Sequence, residues 1–392
     1  MKKILLKICS LALVVIAVAA IAPVTAAKAL EIDAKGTDEI SVSNARAAML
    51  LDYDTGSVIY EYNQLNRQPI ASMVKIMTLL LAFEHADSGL LDYESDVVIS
   101  ENAGSMGGSQ AFLDAGSSYK VNDLLQSIVV ASANDSCVAI AEKISGSVES
   151  FVAEMNKRAA ELKMENTCFV NCTGLPADGQ YSCAADVAVM SRELFSHQKF
   201  FEYSGVWMYD LTHPSGRVTR LTNTNKLIRA YKGCDGGKTG FTNEAMSCLA
   251  ATAKRDDTRL ISIVIGGADS KKRNAEVSKL FNYGFANYET KEIIKGGDKL
   301  SEAVKVEGGK SDTVEGVYAD SFKLFSRKGD DSDYEITYEI NNVSAPVNAN
   351  DEIGKAVIAR GGEAIGEVKI VALEGVEKKG YMDIVDDFIS KW

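Results

Sequence analysis

Ser72-Met73-Val74-Lys75 sets a hydroxyl and an amine three positions apart at the start of an apolar run. On a helix, positions i and i+3 share a face, so Lys75 stands one turn above Ser72. A lysine among apolar neighbours and near other cations loses its proton more readily than one in water. Neutral Lys75 can then take the Ser72 proton and leave a nucleophilic oxygen. Backbone N–H groups at a helix N-terminus favour an oxyanion beside it. Alone the pattern is weak, because Ser-x-x-Lys arises by chance about twice in a chain this rich in Ser and Lys.

Ser132-Ala133-Asn134 lies between two apolar segments, Leu124 to Val130 and Cys137 to Ile140. The Ser132 hydroxyl suits a proton relay, and the Asn134 amide suits a peptide backbone. By itself the triplet reads as an ordinary helix N-cap. Lys238-Thr239-Gly240, preceded by Gly236-Gly237 and followed by Phe241-Thr242, puts a cation and a hydroxyl beside a glycine at a strand. That set suits a substrate carboxylate, with Gly240 admitting a close backbone. The bland reading is a glycine turn entering a strand. The three motifs together, in this order, arise by chance below about once in a hundred such chains.

These residues need elements to hold them. The chain has 392 residues, 46% hydrophobic and 24% charged, with a net charge of −12. That composition excludes a mostly disordered, collagen-like or polytopic membrane protein. The length suggests two domains, or a large one and a smaller one. Net acidity argues against general nucleic-acid binding. Three histidines, His85, His197 and His213, leave little room for a metal site. They also leave no base for a Ser-His-Asp hydrolase: His85 lies too far along the Ser72 helix, and His197 and His213 sit in polar segments that read as surface.

The first 29 residues carry Lys2, Lys3 and Lys7, then an uncharged run from Ile8 to Ala22, then small residues at Val24-Thr25-Ala26 and Ala27-Lys28-Ala29. This is the pattern of a secretory signal peptide, with an uncleaved anchor as the other reading. The expected location is outside the cytoplasmic membrane, at the cell wall or the membrane's outer face. Past it lie Cys137, Cys168, Cys172, Cys183, Cys234 and Cys248. Export permits disulfides, Cys168 with Cys172 among them, but apolar surroundings fit buried thiols equally well. No C-x-x-C pair is present, so a zinc ribbon is not expected.

Residues 30–43 read as a linker. Residues 45–51 and 57–62 read as a hairpin around Asp54-Thr55-Gly56. Residues 72–85, 122–145, 147–162 and 274–288 show helical spacing, and 246–253 and 260–265 read as strands. Strands at both ends with helices between imply an α+β domain over 44–289, an antiparallel sheet packed by helices. Residues 290–378 alternate apolar and polar side chains, as in Tyr334-Glu335-Ile336-Thr337-Tyr338, and read as a small all-β domain. Residues 379–392 form an amphipathic helix with Tyr381, Val385, Phe388, Ile389 and Trp392 on one face. Such a helix either lies on a membrane surface or docks on the β domain. Its acidic polar face, with Asp383, Asp386 and Asp387, is a poor match for anionic lipid.

From about Ala45 to the C-terminus the sequence resembles the low-molecular-mass penicillin-binding proteins that are D-alanyl-D-alanine carboxypeptidases. The resemblance rests on the three motifs, on Asn171-Cys172-Thr173-Gly174-Leu175-Pro176, on Asn223-Thr224-Asn225-Lys226-Leu227, and on Gly266-Gly267-Ala268 with Arg273. Phe241 stands where some members carry His. The resemblance implies a penicillin-binding-protein and β-lactamase-like transpeptidase fold and an acyl transfer in which Ser72 attacks the penultimate D-Ala carbonyl of a peptidoglycan stem peptide. It implies Lys75 as base and the N–H groups of Ser72 and Phe241 as oxyanion hole. Ser132 and Lys238 would pass the proton to the leaving D-Ala. Asn134 would position the peptide, and Thr239 with Arg273 would hold the carboxylate. No metal or cofactor is implied, and β-lactams are expected to acylate Ser72. A β-lactamase is disfavoured by the second domain and by the absence of a Ser-Asp-Asn triplet. A non-catalytic β-lactam or muropeptide sensor remains the other reading.

Overall fold

The computed structural model describes residues 40–330 and 333–390. The expected signal peptide therefore lies outside the described residues. Two strands open the fold, β1 (Ala47–Asp52) and β2 (Val58–Tyr62), joined by the expected turn. A single 3-10 turn, Ala71–Val74, carries Ser72 and runs directly into helix α1 (Lys75–Asp87). Helices α2 (Val121–Ala131), α3 (Asn134–Ser145), α4 (Val148–Glu161) and α5 (Ala184–Leu194) follow. The sheet then resumes with β3 (Cys234–Thr242), β4 (Met246–Arg255) and β5 (Thr258–Gly267), and α6 (Ser270–Asn287) closes the unit.

The five strands form one antiparallel sheet in the order β2-β1-β5-β4-β3. β1, from the start of the chain, slots beside β5 with Ala47 opposite Ile265. β3 is thus an edge strand, and its free side faces the Ser72 turn. One core fills the space between the sheet and helices α1 to α5, with Met77, Leu80, Phe83, Ile128 and Phe151 fully buried. A second core lies under α6, where Val277, Leu280 and Phe281 meet Leu50, Leu249 and Val264.

α1 is buried on every side from Lys75 to Phe83. Helices apolar all round belong inside a domain. Full burial of side chains such as Leu79, Leu80 and Phe83 contributes about 1.5–3 kcal/mol each. That burial fixes the helix carrying the nucleophile's base.

The helical span 122–145 is two helices that meet at Ser132-Ala133. Ser132 caps α2 with φ +63°, the left-handed region. Such a conformation costs a non-glycine residue roughly 1–2 kcal/mol and tends to mark a functional position.

Residues 288–376 form the expected β-rich unit. It contains a four-stranded sheet built on Glu352–Arg360 and Glu363–Ala372, with a buried core including Ile353, Ile358 and Ile370. Helix α7 (Tyr381–Ser390) leaves Tyr381, Met382, Ile384, Phe388 and Ile389 exposed. The docked reading of this helix does not fit that exposure. All six described cysteines are free thiols, so Cys168 and Cys172 are not bridged.

Candidate active site

The 3-10 turn ends where α1 begins, so Lys75 is one turn from Ser72 as the spacing requires. Lys75 Nζ lies 3.0 Å from Ser72 Oγ. It also donates to Asn134 Oδ1 at 2.6 Å and to the Thr173 carbonyl at 2.5 Å. Lys75 is fully buried, and that burial lowers its pKa from the ordinary 10.5. As a neutral amine it keeps two N–H donors, which match Asn134 and Thr173. Its lone pair then faces Ser72 Oγ, the arrangement of a general base.

The left-handed turn at Ser132 aims its hydroxyl at a second lysine. Lys238 Nζ donates to Ser132 Oγ at 2.8 Å and to the Thr239 carbonyl at 3.0 Å. Burial drives the Lys238 pKa well down, and the nearby Lys75 and Arg273 push it the same way. Cys137, also buried beside these lysines, is pushed up to about 11 and stays a thiol at neutral pH.

Three chain segments thus converge: the start of α1, the α2–α3 junction and strand β3. Two glycines make the approach feasible. A Cβ on Gly240 would fall 2.6 Å from the Ile70 carbonyl and 3.1 Å from Ser72 N. Glycine is needed there by the protein's own Ser72 turn. A Cβ on Gly174, at φ +80°, would sit 2.1 Å from the Ala71 carbonyl. The 171–176 loop is therefore pressed against the same turn.

The other expected site residues lie nearby, each with partners within the fold. Asn134 spends its oxygen on Lys75, and its Nδ2 donates to the Gly107 carbonyl at 2.7 Å. Thr239 Oγ1 donates to Thr224 Oγ1 at 2.8 Å. Phe241 has an exposed ring. Arg273 is buried on α6, where Nη1 donates to the Cys248 carbonyl at 3.2 Å and Nη2 to Asn274 Oδ1 at 2.7 Å. Cys248 lies opposite Gly240 in the β3–β4 pairing, so the guanidinium sits one strand from Thr239. Burial brings Arg273 down to about 10, which leaves it cationic at neutral pH.

Thr173, Thr224 and Asp135 were not singled out for roles. Asp135 is buried and accepts from the N–H groups of Ala111, Leu113 and Ser136, tying the 107–113 loop in front of Asn134. Its position beside the Ser132-Ala133-Asn134 triplet was the one available signal. His213, expected at the surface, is buried: its ring bonds the Tyr119 hydroxyl at 2.7 Å and Thr219 Oγ1 at 2.8 Å. His197 stacks on Phe83 and pairs with Asp87 at 2.6 Å. His85 is bonded to Glu154. Each of the three histidines thus has partners other than Ser72.

Comparison with known proteins identifies the family. A family model described as D-alanyl-D-alanine carboxypeptidase matches residues 34–269, and one for the C-terminal domain of penicillin-binding protein 5 matches 288–378. The D-alanyl-D-alanine carboxypeptidase DacF of Bacillus subtilis is 39% identical over 363 residues, 92% of each chain. Penicillin-binding protein 5 from Haemophilus influenzae superposes with a TM-score of 0.68 at 31% identity, covering 86% of this chain and 98% of that one. PBP3 from Streptococcus pneumoniae, a peptidoglycan synthesis regulatory factor, gives 0.71 at 25% identity over 86% of this chain and 100% of that one. The chain belongs to the D-alanyl-D-alanine carboxypeptidase family of serine penicillin-binding enzymes.

Proposed function

We propose that this enzyme removes the terminal D-Ala from peptidoglycan stem peptides by acyl transfer through Ser72. The observation that carries the mechanism is the position of Lys75 Nζ, 3.0 Å from Ser72 Oγ with Asn134 and Thr173 as its other partners. Lys75 takes the hydroxyl proton as Ser72 Oγ bonds to the carbonyl carbon of the penultimate D-Ala. The N–H groups of Ser72 and Phe241 receive the oxyanion. The C–N bond then breaks as Ser132 gives its proton to the leaving amine and is reprotonated through Lys238 by the proton that Lys75 took. Thr239 receives the terminal carboxylate, with the Arg273 charge one strand away. Asn134 holds Lys75 and lines the path of the peptide. Water hydrolyses the ester and frees Ser72. β-Lactams acylate the same oxygen.

The N-terminal pattern supports export, with the reaction outside the cytoplasmic membrane. The exposed apolar side chains of α7 support contact with the membrane surface. Among the described residues no helix is long and apolar enough to cross a membrane. Removal of residues 380–392 is expected to reduce partitioning to vesicles and leave D-Ala release unchanged; unchanged partitioning rejects the contact.

The decisive experiment labels the purified chain with a fluorescent penicillin, maps the peptide by mass spectrometry, and assays D-Ala release. Label on Ser72, absent in Ser72→Ala, together with release of D-Ala is the expected result. Label without release makes the protein a sensor. Folded protein without label overturns the nucleophile assignment.

A further inference from the structure

A hairpin of two strands, Met208–Thr212 and Val218–Thr222, turns its tip towards the loop of residues 107–114. That loop lies in front of Asn134. The Ser109 carbonyl accepts from Asn134 N at 2.7 Å, and the Gly107 carbonyl accepts from Asn134 Nδ2 at 2.7 Å. The second bond fixes the amide so that Oδ1 faces Lys75. A shift of the loop therefore reaches Lys75 through Asn134.

Two further anchors hold the loop. The Asp135 carboxylate takes the N–H groups of Ala111 and Leu113. From the hairpin, Arg217 Nη2 donates to the Phe112 carbonyl at 2.6 Å and to Asp114 Oδ1 at 2.9 Å. Phe112, between the anchors, has φ +62° and an exposed ring. A bulky residue keeps that left-handed conformation only where its surroundings impose it. Losing the Arg217 anchor lets the backbone relax.

Arg217 is itself seated on His213. Its Nη2 lies 3.1 Å from His213 Nδ1, and the Tyr119 hydroxyl lies 2.7 Å from the same nitrogen. A guanidinium only donates, so Nδ1 is bare and the proton sits on Nε2, which donates to Thr219 Oγ1 at 2.8 Å. The ring is buried. A proton on Nδ1 turns this acceptor into a donor and sets a second cation against the guanidinium. The Tyr119 hydroxyl can reverse its role, but Arg217 cannot. Among the described residues, the groups facing the ring are Arg217 from its own hairpin, Tyr119 from strand Ser118–Lys120, Asp114 with Oδ2 3.7 Å from Nδ1, and Asp135 from α3. Burial and Arg217 lower the His213 pKa from the ordinary 6.5, and the two carboxylates oppose that shift.

We propose that Arg217 and His213 are positioning residues, a clamp that holds the 107–114 loop against Asn134 while His213 is neutral and opens when His213 is protonated. The neutral ring is the bound form. The clamp is thus complete at neutral and alkaline pH and is lost as pH falls through a value below 6.5. Its effect on rate rests on the Ser72 and Lys75 assignment above; the clamp itself does not.

Two variants test it, each compared with the unaltered enzyme at the same pH. His213→Asn puts an amide oxygen where Nδ1 accepts and cannot titrate. Arg217→Ala removes the anchor at a partly exposed position and serves if the buried substitution fails to fold. Hydrogen exchange over 107–114, corrected for its intrinsic pH dependence, reads the loop directly. Protection in the unaltered enzyme is expected to fall about tenfold from about pH 8 to about pH 5. It should hold in His213→Asn and be low throughout in Arg217→Ala. Acylation of Ser72 by fluorescent penicillin should be about tenfold slower in Arg217→Ala at about pH 8, with the gap closing towards about pH 5 as the unaltered clamp opens too. Protection that ignores pH, or that falls equally in His213→Asn, overturns the clamp. An acylation gap that is absent, or constant over this range, overturns its link to Lys75. An unaltered enzyme that is never acylated, yet whose loop exchange follows His213, retains the clamp and loses the nucleophile assignment.

Discussion

Two buried lysines, each bonded to a serine hydroxyl, divide the site between them, and their surroundings differ. Lys75 also faces the Asn134 side-chain oxygen and the Thr173 carbonyl. Among the described residues, Lys238 bonds the Thr239 carbonyl besides Ser132, and Lys75 and Arg273 stand near it. Burial lowers both pKa values, but Lys238 goes further down because neighbouring cations add to desolvation. Acceptors around Lys75 favour its protonated form. The partners of Lys75 thus suit a group that takes up a proton, whereas the cations near Lys238 oppose one there. The same pair of residue types thus meets opposite surroundings, acceptors around one and cations around the other.

Breaking the base should have the largest effect. Lys75→Arg keeps a charge but stays protonated, so acylation of Ser72 by penicillin is expected to fall by about a thousandfold, measured by stopped-flow labelling. Asn134→Ala removes an acceptor from Lys75 and is expected to cost about a hundredfold. It should also move the acid limb of the acylation profile. Activity requires neutral Lys75, so the rate rises with pH through the lowered Lys75 pKa. Losing an acceptor that favours the ammonium shifts that limb to still lower pH; a limb that moves up or stays fixed contradicts the assigned partnership. Phe241→Ala should change kcat/KM by no more than about twofold, because the proposed role uses only the backbone N–H and the ring is 66% exposed. A large loss there would show that the ring itself binds substrate.

The site was largely legible because its chemistry sits in short local patterns. Ser72 and Lys75 needed only helical spacing, and strand β3 was marked by its glycines. Thr173 and Thr224 were not legible as partners, since they act through a carbonyl and a hydroxyl placed by distant segments. His213 misled for a related reason. Its neighbours are polar, yet the 208–222 hairpin folds its tip against Tyr119, a contact ninety-four positions away in sequence.

By itself the sequence determined the residue types, their order, the α+β alternation and the change to β structure near residue 290. These follow from side-chain chemistry and from periodicity along the chain. Tertiary structure alone decided that β1 would close on β5, that β3 would be an edge open to the Ser72 turn, and that Gly240 would be needed by that turn. It also decided which lysine is surrounded by acceptors and which by cations. Those outcomes depend on segments more than a hundred residues apart meeting within 3 Å, as Lys238 and Ser132 do at 2.8 Å. No local pattern encodes such a distance; burial of two cores against one sheet imposes it.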